Sequence, residues 1–341
     1  MQMGRQESVL DLVIPGLLGP VPESVAESPA AGERFPALER LLSRGTSRAL
    51  SHTDSAGLLG SRINGPGEPL PAGPVGLLGA GGTPGDTYWF RVDPVHLRAD
   101  RDRLLVFGPG ALAVTEAEAA AIAEACNGLL AEDEMYLRAC GDHWYLSVPG
   151  RPDVRMASIH QVSGHYMDAY LPAGPDARRW NALLSELQML LHTLPLNQAR
   201  EDGGQLTVNG LWPWGGGCVP ASVDAGYDAV FADDDLGRGA ARLTGIEAAD
   251  TPLRVSELER RGGRLLVHDT RALAALSSGD AAAWLEVVAQ VENDRCADAL
   301  EGLRRGAFDR VQLLPGGGRQ WTITRASLRR VWRRRRPFRH W

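Results

Sequence analysis

The sequence predicts an α/β core, with a parallel sheet flanked by helices, and an inserted α+β domain. Short runs rich in leucine and β-branched residues alternate with helical stretches in the outer parts of the chain, which is typical of a parallel sheet covered on both faces. A run of strand, helix, hairpin and helix between them has the size of a domain, and a glycine-rich segment precedes that run. We therefore assign residues 1–85 and 201–341 to the core and residues 86–200 to the inserted domain.

The first elements follow from apolar patterning. The run Val9–Ile14 is short, contains Asp11 and is ended by Pro15, so it is predicted to be a buried strand rather than a signal peptide. The leucine spacing in Ala37–Arg44 predicts a helix. Residues 57–85 contain ten glycines and five prolines. Because these residues disfavour helix interiors and central strands, this segment is predicted to be a long loop.

The inserted domain has clear local signals. Thr115-Glu-Ala-Glu118 is a capping box that opens an alanine-rich helix running to about Cys126. A turn containing Gly141 and Asp142 separates two strand-like runs and predicts a hairpin. The remaining elements predicted here are strands at Tyr88–Val92, Leu104–Phe107, Met135–Ala139 and Trp144–Val148, and a helix at Asp176–Leu194.

The last part of the chain returns to alternating strands and helices. Asp280 is placed to cap a helix over Ala281–Leu303. Asp233-Asp234-Asp235 has the composition of a cation site, but helix capping explains its place at a strand end at least as well. The strands predicted here are Leu206–Val208, Ala229–Phe231, Leu265–His268 and Val311–Leu314.

Glycine and tryptophan clusters interrupt this region. The glycine triplets 215–217 and 316–318 are predicted to be turns rather than phosphate-binding loops. Leu211-Trp-Pro-Trp214 combines two tryptophans with a proline beside three glycines. We interpret it as a rigid loop that lines a binding cleft.

The composition excludes several classes of protein. All 36 basic residues are arginine, so lysine nucleophiles and Schiff bases are excluded. The four cysteines lie far apart without a CxxC pair, which argues against a zinc ribbon or a disulfide framework and fits a reducing cytosol. No stretch approaches the roughly 20 apolar residues that cross a bilayer. We therefore expect a cytoplasmic protein without membrane association.

Several short motifs, in register along nearly the whole chain, resemble those of one family. Val208-Asn-Gly-Leu-Trp-Pro-Trp-Gly-Gly-Gly217 is similar to its N-x-x-W-x-W-G-x-G stretch, and Pro84–Arg91 is similar to its GDvAFR entry into an inserted domain. The family is the archaeal-type cofactor-independent phosphoglycerate mutases, of the alkaline phosphatase superfamily. The chain also resembles a bacterial group identified as RpfE-type regulatory proteins. Further matching segments are Thr115–Glu118, Leu196-Asn197 with Arg200, Gly226–Phe231, Leu236–Ala240 and Leu243–Gly245.

The resemblance implies an alkaline-phosphatase-like core with two divalent cations and a Ser or Thr nucleophile, but this chain departs from the family at those positions. Pro15-Gly-Leu-Leu-Gly19 stands in place of DGxxD, and Pro74–Gly79 lacks the expected serine. The motif H-x-x-x-x-D-x-x-x-H-x-x-D is represented by His268, Leu273, Ser277 and Asp280, so a carboxylate and an imidazole are missing. Val311–Gly318 replaces the terminal DHxTP. We therefore expect no catalytic residues, no metal and no cofactor.

What remains of the family pattern is a set of residues suited to a phosphorylated acid. Arginines give bidentate contacts to phosphate or carboxylate, and histidine and asparagine orient such a group. The alternative for Arg91 is an ion pair with Asp93 or Asp86. The candidate ligand-binding residues are Arg91, His165, Arg200, Asn209, Trp212 and Trp214.

The C-terminal tail, Arg325–Trp341, is strongly basic. Ten arginines and no acid follow Asp309, so the body up to Asp309 carries a formal −16 against −6 for the whole chain. Trp332 is spaced for docking four residues after Leu328. We expect the tail to act on the protein's own surface or on a protein partner, and nucleic acid to be disfavoured.

Three functions follow from these observations. The first is a mutase-like protein that has lost its metal ligands and nucleophile and serves as a non-catalytic regulatory protein or binds a small phosphorylated metabolite. The second is an active mutase or phosphatase with a divergent site. The third is a regulator that binds nucleic acid or a protein through the arginine-rich tail.

Overall fold

The computed structural model describes residues 7–19, 34–65, 69–141, 143–221, 223, 226–246 and 248–341. The chain divides into two compact units: the first unit is Met1–Leu70 with Ser222–Trp341, and the second unit is Pro71–Ala221. Residues 71–85 and 201–221, which we assigned to the core, fall in the second unit because a helix and a strand within them pack on the strand Tyr88–Asp100. Asp142, in the predicted hairpin turn, lies outside the described residues.

The elements are numbered in chain order. The strands are β1 (Val9–Val13), β2 (Thr46–Ala49), β3 (Tyr88–Asp100), β4 (Arg103–Phe107), β5 (Tyr136–Cys140), β6 (His143–Val148), β7 (Gly210–Gly217), β8 (Ala229–Ala232), β9 (Arg264–His268), β10 (Arg310–Leu314) and β11 (Arg319–Thr324). The helices are α1 (Pro36–Arg44), α2 (Ser55–Ile63), α3 (Ala72–Gly79), α4 (Glu116–Leu130), α5 (Ile159–Val162), α6 (Ala177–His192), α7 (Pro195–Asp202), α8 (Asp235–Leu243), α9 (Arg271–Ser277), α10 (Ala281–Val291) and α11 (Ala297–Arg305). A π-helical segment, Glu292–Cys296, joins α10 to α11. Among the described residues, no helix has the length and apolar character needed to cross a membrane.

The first unit is built on a sheet whose six described strands have the order β2-β11-β10-β1-β9-β8. Strands β10, β1, β9 and β8 are parallel. Strand β11 pairs antiparallel with β10, and β2 pairs antiparallel with β11, so β2 runs in the direction of the parallel strands. Leu12 in β1 pairs with Leu313 on one side and with Val267 on the other. All of β1 is buried, as a strand between two layers should be. The predicted α/β core with a parallel sheet is confirmed.

The second unit has an antiparallel sheet with the order β4-β3-β6-β5, and β7 pairs with β3. Helices α4 and α6 cover one apolar cluster that includes Ile122, Trp144, Trp180 and Leu187. The hairpin predicted between 135 and 148 is β5 and β6. The predicted α+β architecture of this region is confirmed.

Several helix ends form as the sequence predicts. Thr115 and Glu118 make the reciprocal hydrogen bonds of a capping box at the start of α4. Asp280 accepts from the first N–H groups of α10. Asp234 accepts from the Gly237 N–H and so caps α8. These caps depend on local geometry, which explains why the sequence alone predicts them.

The prediction of a loop over residues 57–85 is wrong, because α2 and α3 lie within it. The glycines serve close packing instead of chain reversal. A Cβ on Gly73 would lie 2.2 Å from the carbonyl oxygen of Trp89, and one on Gly76 would lie 2.9 Å from the Tyr145 hydroxyl. Glycine lets α3 lie directly on the backbone of β3, and this tertiary contact outweighs the low helix propensity of glycine.

The region around the two tryptophans also differs from the prediction. Leu206–Val208 is not a strand, and residues 210–217, predicted to be a cleft-lining loop and a glycine turn, form strand β7. Among the described strands β7 pairs with β3 alone, so it is an edge strand, where Pro213 removes no hydrogen bond that a second neighbour would need. The register of β7 against β3 shifts between Trp89 and Arg91, close to Gly215, whose φ is +60°.

The C-terminal tail lies on the first unit. The ring of Phe338 packs edge-on against Phe35, with ring centroids 4.9 Å apart, and lies 6.0 Å from Trp284. The Phe338 N–H and the Nε of Arg335 both bind the carboxylate of Glu39, each at 3.1 Å, and Glu39 is fully buried. The aromatic end of the tail is therefore part of the core, whereas Trp332 remains 74% exposed.

Candidate functional site

Arg91 lies on β3 in a half-buried polar cluster. Its Nη2 is 2.6 Å from Nδ1 of His143, and its guanidinium is 3.7 Å from Oδ1 of Asp93. The alternative interpretation, an ion pair with Asp93, therefore describes a contact that Arg91 makes. Its Nε is buried and has no hydrogen-bond partner among the described residues. Such a donor is a place for a ligand atom or a water molecule.

The two predicted tryptophans are packed into β7. Trp214 is 4% exposed and donates its indole N–H to Oδ2 of Asp93 at 2.5 Å, and its ring lies 5.7 Å from the guanidinium of Arg91. Trp212 is 3% exposed and donates to the carbonyl of Ala157 at 2.8 Å. Trp214 thus holds Asp93 beside Arg91, while Trp212 ties β7 to a neighbouring loop.

Arg200 connects three segments of the second unit. Its Nη1 binds Glu118 at 2.8 Å, its Nε donates to the carbonyl of Leu206 at 2.7 Å, and its Nη2 donates to the carbonyl of Leu112. Burial acts to raise the pKa of Glu118, but hydrogen bonds from Thr115 and Arg200 lower it below its usual value. Each donor group of the buried guanidinium therefore already serves a protein acceptor.

Asn209 and His165 lie elsewhere in the second unit. The Asn209 amide pairs with the backbone of Leu97, accepting from its N–H at 2.6 Å and donating to its carbonyl at 2.9 Å. His165 is exposed, and its Nδ1 lies 3.2 Å from the carbonyl of Ser163. Of the six candidate residues, the structure brings Arg91 and Trp214 together in one cluster.

Two of the segments that the resemblance compares with metal-binding motifs are in contact in the first unit. A Cβ built on Gly16, which follows β1, would lie 2.9 Å from the backbone N and Cα of Leu273 in α9. The hydroxyl of Ser277 donates to the Leu273 carbonyl at 2.9 Å. The described part of the chain contains no group of three or more His, Cys, Asp or Glu side chains placed to hold one metal ion.

Three hydrogen-bonded side chains lie at the carboxyl end of the parallel sheet. His268 is the last residue of β9, Asp234 follows β8, and Ser55 is the first residue of α2. Nδ1 of His268 is 2.5 Å from Oδ2 of Asp234, and Nε2 is 2.9 Å from Oγ of Ser55. Ser55 and His268 are buried, with 5% and 1% of their surface exposed. We call these three residues the serine relay.

An ion cluster holds the turn that follows His268. Asp269 accepts from Arg271 at 2.6 Å and from Arg295 at 3.0 Å, and Arg271 also pairs with Asp294. Burial acts to raise the pKa of Asp269, but hydrogen bonds from Arg271 and the charges of Arg271 and Arg295 lower it below its usual value. The Asp269 N–H also bonds to the Val13 carbonyl of β1. This cluster therefore fixes the backbone beside His268.

No sequence pattern indicates Ser55, and Asp234 and His268 belong to separate patterns. A signal is present in the sequence, because His268 ends β9 and Asp234 lies two residues after β8, and side chains at the carboxyl ends of neighbouring parallel strands converge at one sheet edge. Ser55 directly follows a helix-capping Asp54, whose side chain accepts from the Gly57 N–H. Because Ser55 is far from Asp234 and His268 along the chain, the sequence does not indicate that they are in contact.

The sequence comparisons find three mutases. Over 165 residues the chain is 28% identical to a probable 2,3-bisphosphoglycerate-independent phosphoglycerate mutase of Geobacter sulfurreducens, a match that covers 46% of this chain and 41% of that protein. The corresponding enzymes of Methanosarcina acetivorans and Methanosarcina mazei are 26% and 33% identical over 98 and 96 residues, covering 27% of this chain and 25% and 24% of those proteins. The matches thus span less than half the length of these relatives. No family model matches the chain.

Two solved structures resemble the chain over most of its length. The cofactor-independent phosphoglycerate mutase of Thermoplasma acidophilum is 19% identical with a TM-score of 0.43, covering 94% of this chain and 90% of its own. The PH0037 protein of Pyrococcus horikoshii is 13% identical with a TM-score of 0.49, covering 94% and 88%. The structure described above defines an α/β protein with a second, α+β unit. By its sequence matches, the chain is a relative of the cofactor-independent phosphoglycerate mutases.

Proposed function

We propose that this chain is a phosphoglycerate-mutase-like protein that has lost two-metal phosphoryl transfer and works by regulation or by binding a small phosphorylated metabolite. Its sequence similarity to a mutase supports the proposal that it shares their scaffold. The residues at the aligned ligand positions support the loss, since Leu273 and Ser277 offer neither a carboxylate nor an imidazole. Two cations need several such ligands around them to neutralise a transferring phosphoryl group.

The residue types at the aligned ligand positions carry this proposal, and Gly16 and Leu273 show how closely two of these segments pack. These residues lie in two of the segments that the resemblance aligns with metal-binding motifs. The contact is too close to admit even a methyl group, because a Cβ on Gly16 would already lie 2.9 Å from the Leu273 backbone. The side chains that these two segments would need for a cation are absent, because neither Pro15 nor Leu273 is a metal ligand.

For the ligand we propose a small phosphorylated acid at Arg91. The buried Nε of Arg91 is a donor without a partner among the described residues, and a guanidinium binds phosphate or carboxylate through paired N–H groups. Asp93 lies 3.7 Å from the guanidinium and offsets part of its charge. Binding is therefore expected to be weak and to depend on the phosphate group.

For the tail we propose a protein partner rather than nucleic acid. The body up to Asp309 carries a formal −16, which opposes the approach of a polyanion. Phe338 is occupied in the core, but Val331 and Trp332 are 72% and 74% exposed beside a run of arginines. Salt-dependent retention on duplex DNA that disappears when residues 325–341 are removed would favour the nucleic-acid alternative instead.

Turnover and binding of 3-phosphoglycerate test the proposal. We expect the full chain to form no 2-phosphoglycerate with or without added Mn²⁺. We expect calorimetric binding to be lost in Arg91→Gln and kept in Arg151→Gln, which changes an exposed arginine of the same unit. Turnover that requires Mn²⁺ would contradict the proposal and support an active mutase or phosphatase with a divergent site.

A further inference from the structure

The hydrogen bonds of the serine relay have a fixed direction. An ionised carboxylate only accepts hydrogen bonds, so Nδ1 of His268, 2.5 Å from Oδ2 of Asp234, carries the ring proton. In the neutral ring, Nε2 then offers a lone pair, and it lies 2.9 Å from Oγ of Ser55. The hydroxyl of Ser55 therefore donates to a nitrogen base that can take its proton.

Helix α8 holds this base in place. Oδ1 of Asp234 accepts from the Gly237 N–H at 3.0 Å, while Oδ2 faces the imidazole. A Cβ on Gly237 would lie 2.8 Å from Nδ1 of His268 and 3.1 Å from Oδ2 of Asp234, so the first turn of α8 packs directly on the pair. A nucleophile, a base and a third group that orients the base together form the arrangement that activates a serine.

The surroundings of Ser55 suit a reaction that creates negative charge on oxygen. Ser55 begins α2, and Asp54 takes the N–H groups of Gly57 and Leu58 at 2.8 Å and 2.9 Å. The N–H groups of Ser55 and Ala56 belong to the first turn of α2, ahead of the first intrahelical hydrogen bond. Helix N-termini and backbone N–H groups stabilise an oxyanion. The site also lies at the carboxyl ends of β8 and β9, the edge at which α/β sheets place their ligands.

We propose that Ser55 is a nucleophile for metal-independent acyl transfer from small carboxylic esters. His268 is the general base, and Asp234 is the residue that positions it. Small esters are the proposed class because Ser55 is 5% exposed, so a polymeric acyl donor cannot reach its hydroxyl. This activity goes beyond the binding function proposed above, since Ser55 lies in the first unit and Arg91 in the second.

The reaction has two balanced halves. Oγ of Ser55 attacks the carbonyl carbon of the ester while its proton moves to Nε2 of His268. The bond to the leaving alcohol breaks, the alkoxide takes the proton from Nε2, and an acyl-serine remains. Water then attacks the acyl carbon and gives a proton to Nε2. Oγ leaves and takes that proton back, so the carboxylic acid is released and Ser55 is restored.

The probe is p-nitrophenyl acetate with the full-length protein. We expect a burst of p-nitrophenolate that approaches one equivalent per chain, and a peptide carrying one acetyl group on Ser55 by mass spectrometry. This measurement uses the unmodified chain, so it does not depend on the folding of any variant. His268→Gln should slow acetylation about 100-fold or more, as removal of a general base does.

Three variants distinguish a nucleophile from a structural hydrogen bond. Ser55→Ala should abolish the burst, whereas Ser61→Ala should keep it, because the Ser61 hydroxyl on the same helix donates to the Leu58 carbonyl at 2.6 Å. Gly237→Ala should slow acetylation without removing the acetylated residue, since it displaces the imidazole. Acetate found on another residue, or no burst in a folded wild-type protein, would show that the relay only holds α2 against the sheet.

Discussion

Phe338 offers the sharpest test of how the tail is held, through the variant Phe338→Ala. A buried phenylalanine replaced by alanine costs about 3–5 kcal/mol in a core that cannot collapse. Phe338 is 9% exposed and makes an edge-on contact with Phe35 at 4.9 Å. Because Phe338 is partly exposed, the site that alanine would leave is open to solvent on one side, which lowers the cost. We therefore expect a loss of about 2–3 kcal/mol in the free energy of unfolding of the first unit.

The assay is urea unfolding of wild type, Phe338→Ala and Trp332→Ala. Trp332 is the matched control, because it is a large aromatic residue of the same tail that is 74% exposed. Its replacement should change the free energy of unfolding by no more than about 0.5 kcal/mol. Comparable effects of the two variants, or a larger effect of Trp332→Ala, would refute the assignment of Phe338 as the anchor.

Two further predictions concern single positions in the two units. Asp269→Asn should cost about 3 kcal/mol at pH 7, because it leaves Arg295, 3% exposed, without its buried partner. The pKa of Asp269 is lowered in the folded state, so the stability it contributes is present above its ordinary pKa of about 3.9 and is lost as the pH falls through the folded pKa. The cost of Asp269→Asn, measured by urea unfolding from pH 7 down to pH 3, should therefore shrink below about pH 4, and a cost independent of pH would contradict this account. Gly73→Ala should destabilise the second unit by more than about 2 kcal/mol, since its Cβ would lie 2.2 Å from the Trp89 carbonyl oxygen. The control is Gly128→Ala in α4, where the added Cβ has open space around it. It should stabilise the second unit by up to about 1 kcal/mol, measured like Gly73→Ala by urea unfolding.

The elements that the sequence predicts well are those whose signal is local. The apolar run that forms β1 is a continuous segment, and the capping residues Thr115 and Asp280 bond to backbone groups two or three residues away. The helices α2 and α3 could not be predicted in this way. Gly73 is a poor helix former taken alone, and it is required only because the backbone of Trp89 passes against it. That contact is a property of the folded chain.

The residues of the candidate site also divide into those that local sequence patterns indicate and those that only the fold brings together. The sequence motif indicates Arg91. Its contacts with His143 and Trp214 form only because β3 pairs with β6 and β7. Ser55 contacts a histidine 213 residues away. Sequence patterns indicate which residues end strands, but they do not show which distant helix begins beside them.

We propose the loss of two-metal chemistry because Pro15, Gly19, Leu273 and Ser277 stand at the aligned ligand positions. Titration of the metal-free, full-length protein with Mn²⁺, followed by calorimetry, tests this claim most directly. We expect no stoichiometric binding of Mn²⁺ and no change in melting temperature when Mn²⁺ is added. Binding of one or two ions per chain, with a matching rise in melting temperature and turnover of 3-phosphoglycerate that a chelator abolishes, would contradict it.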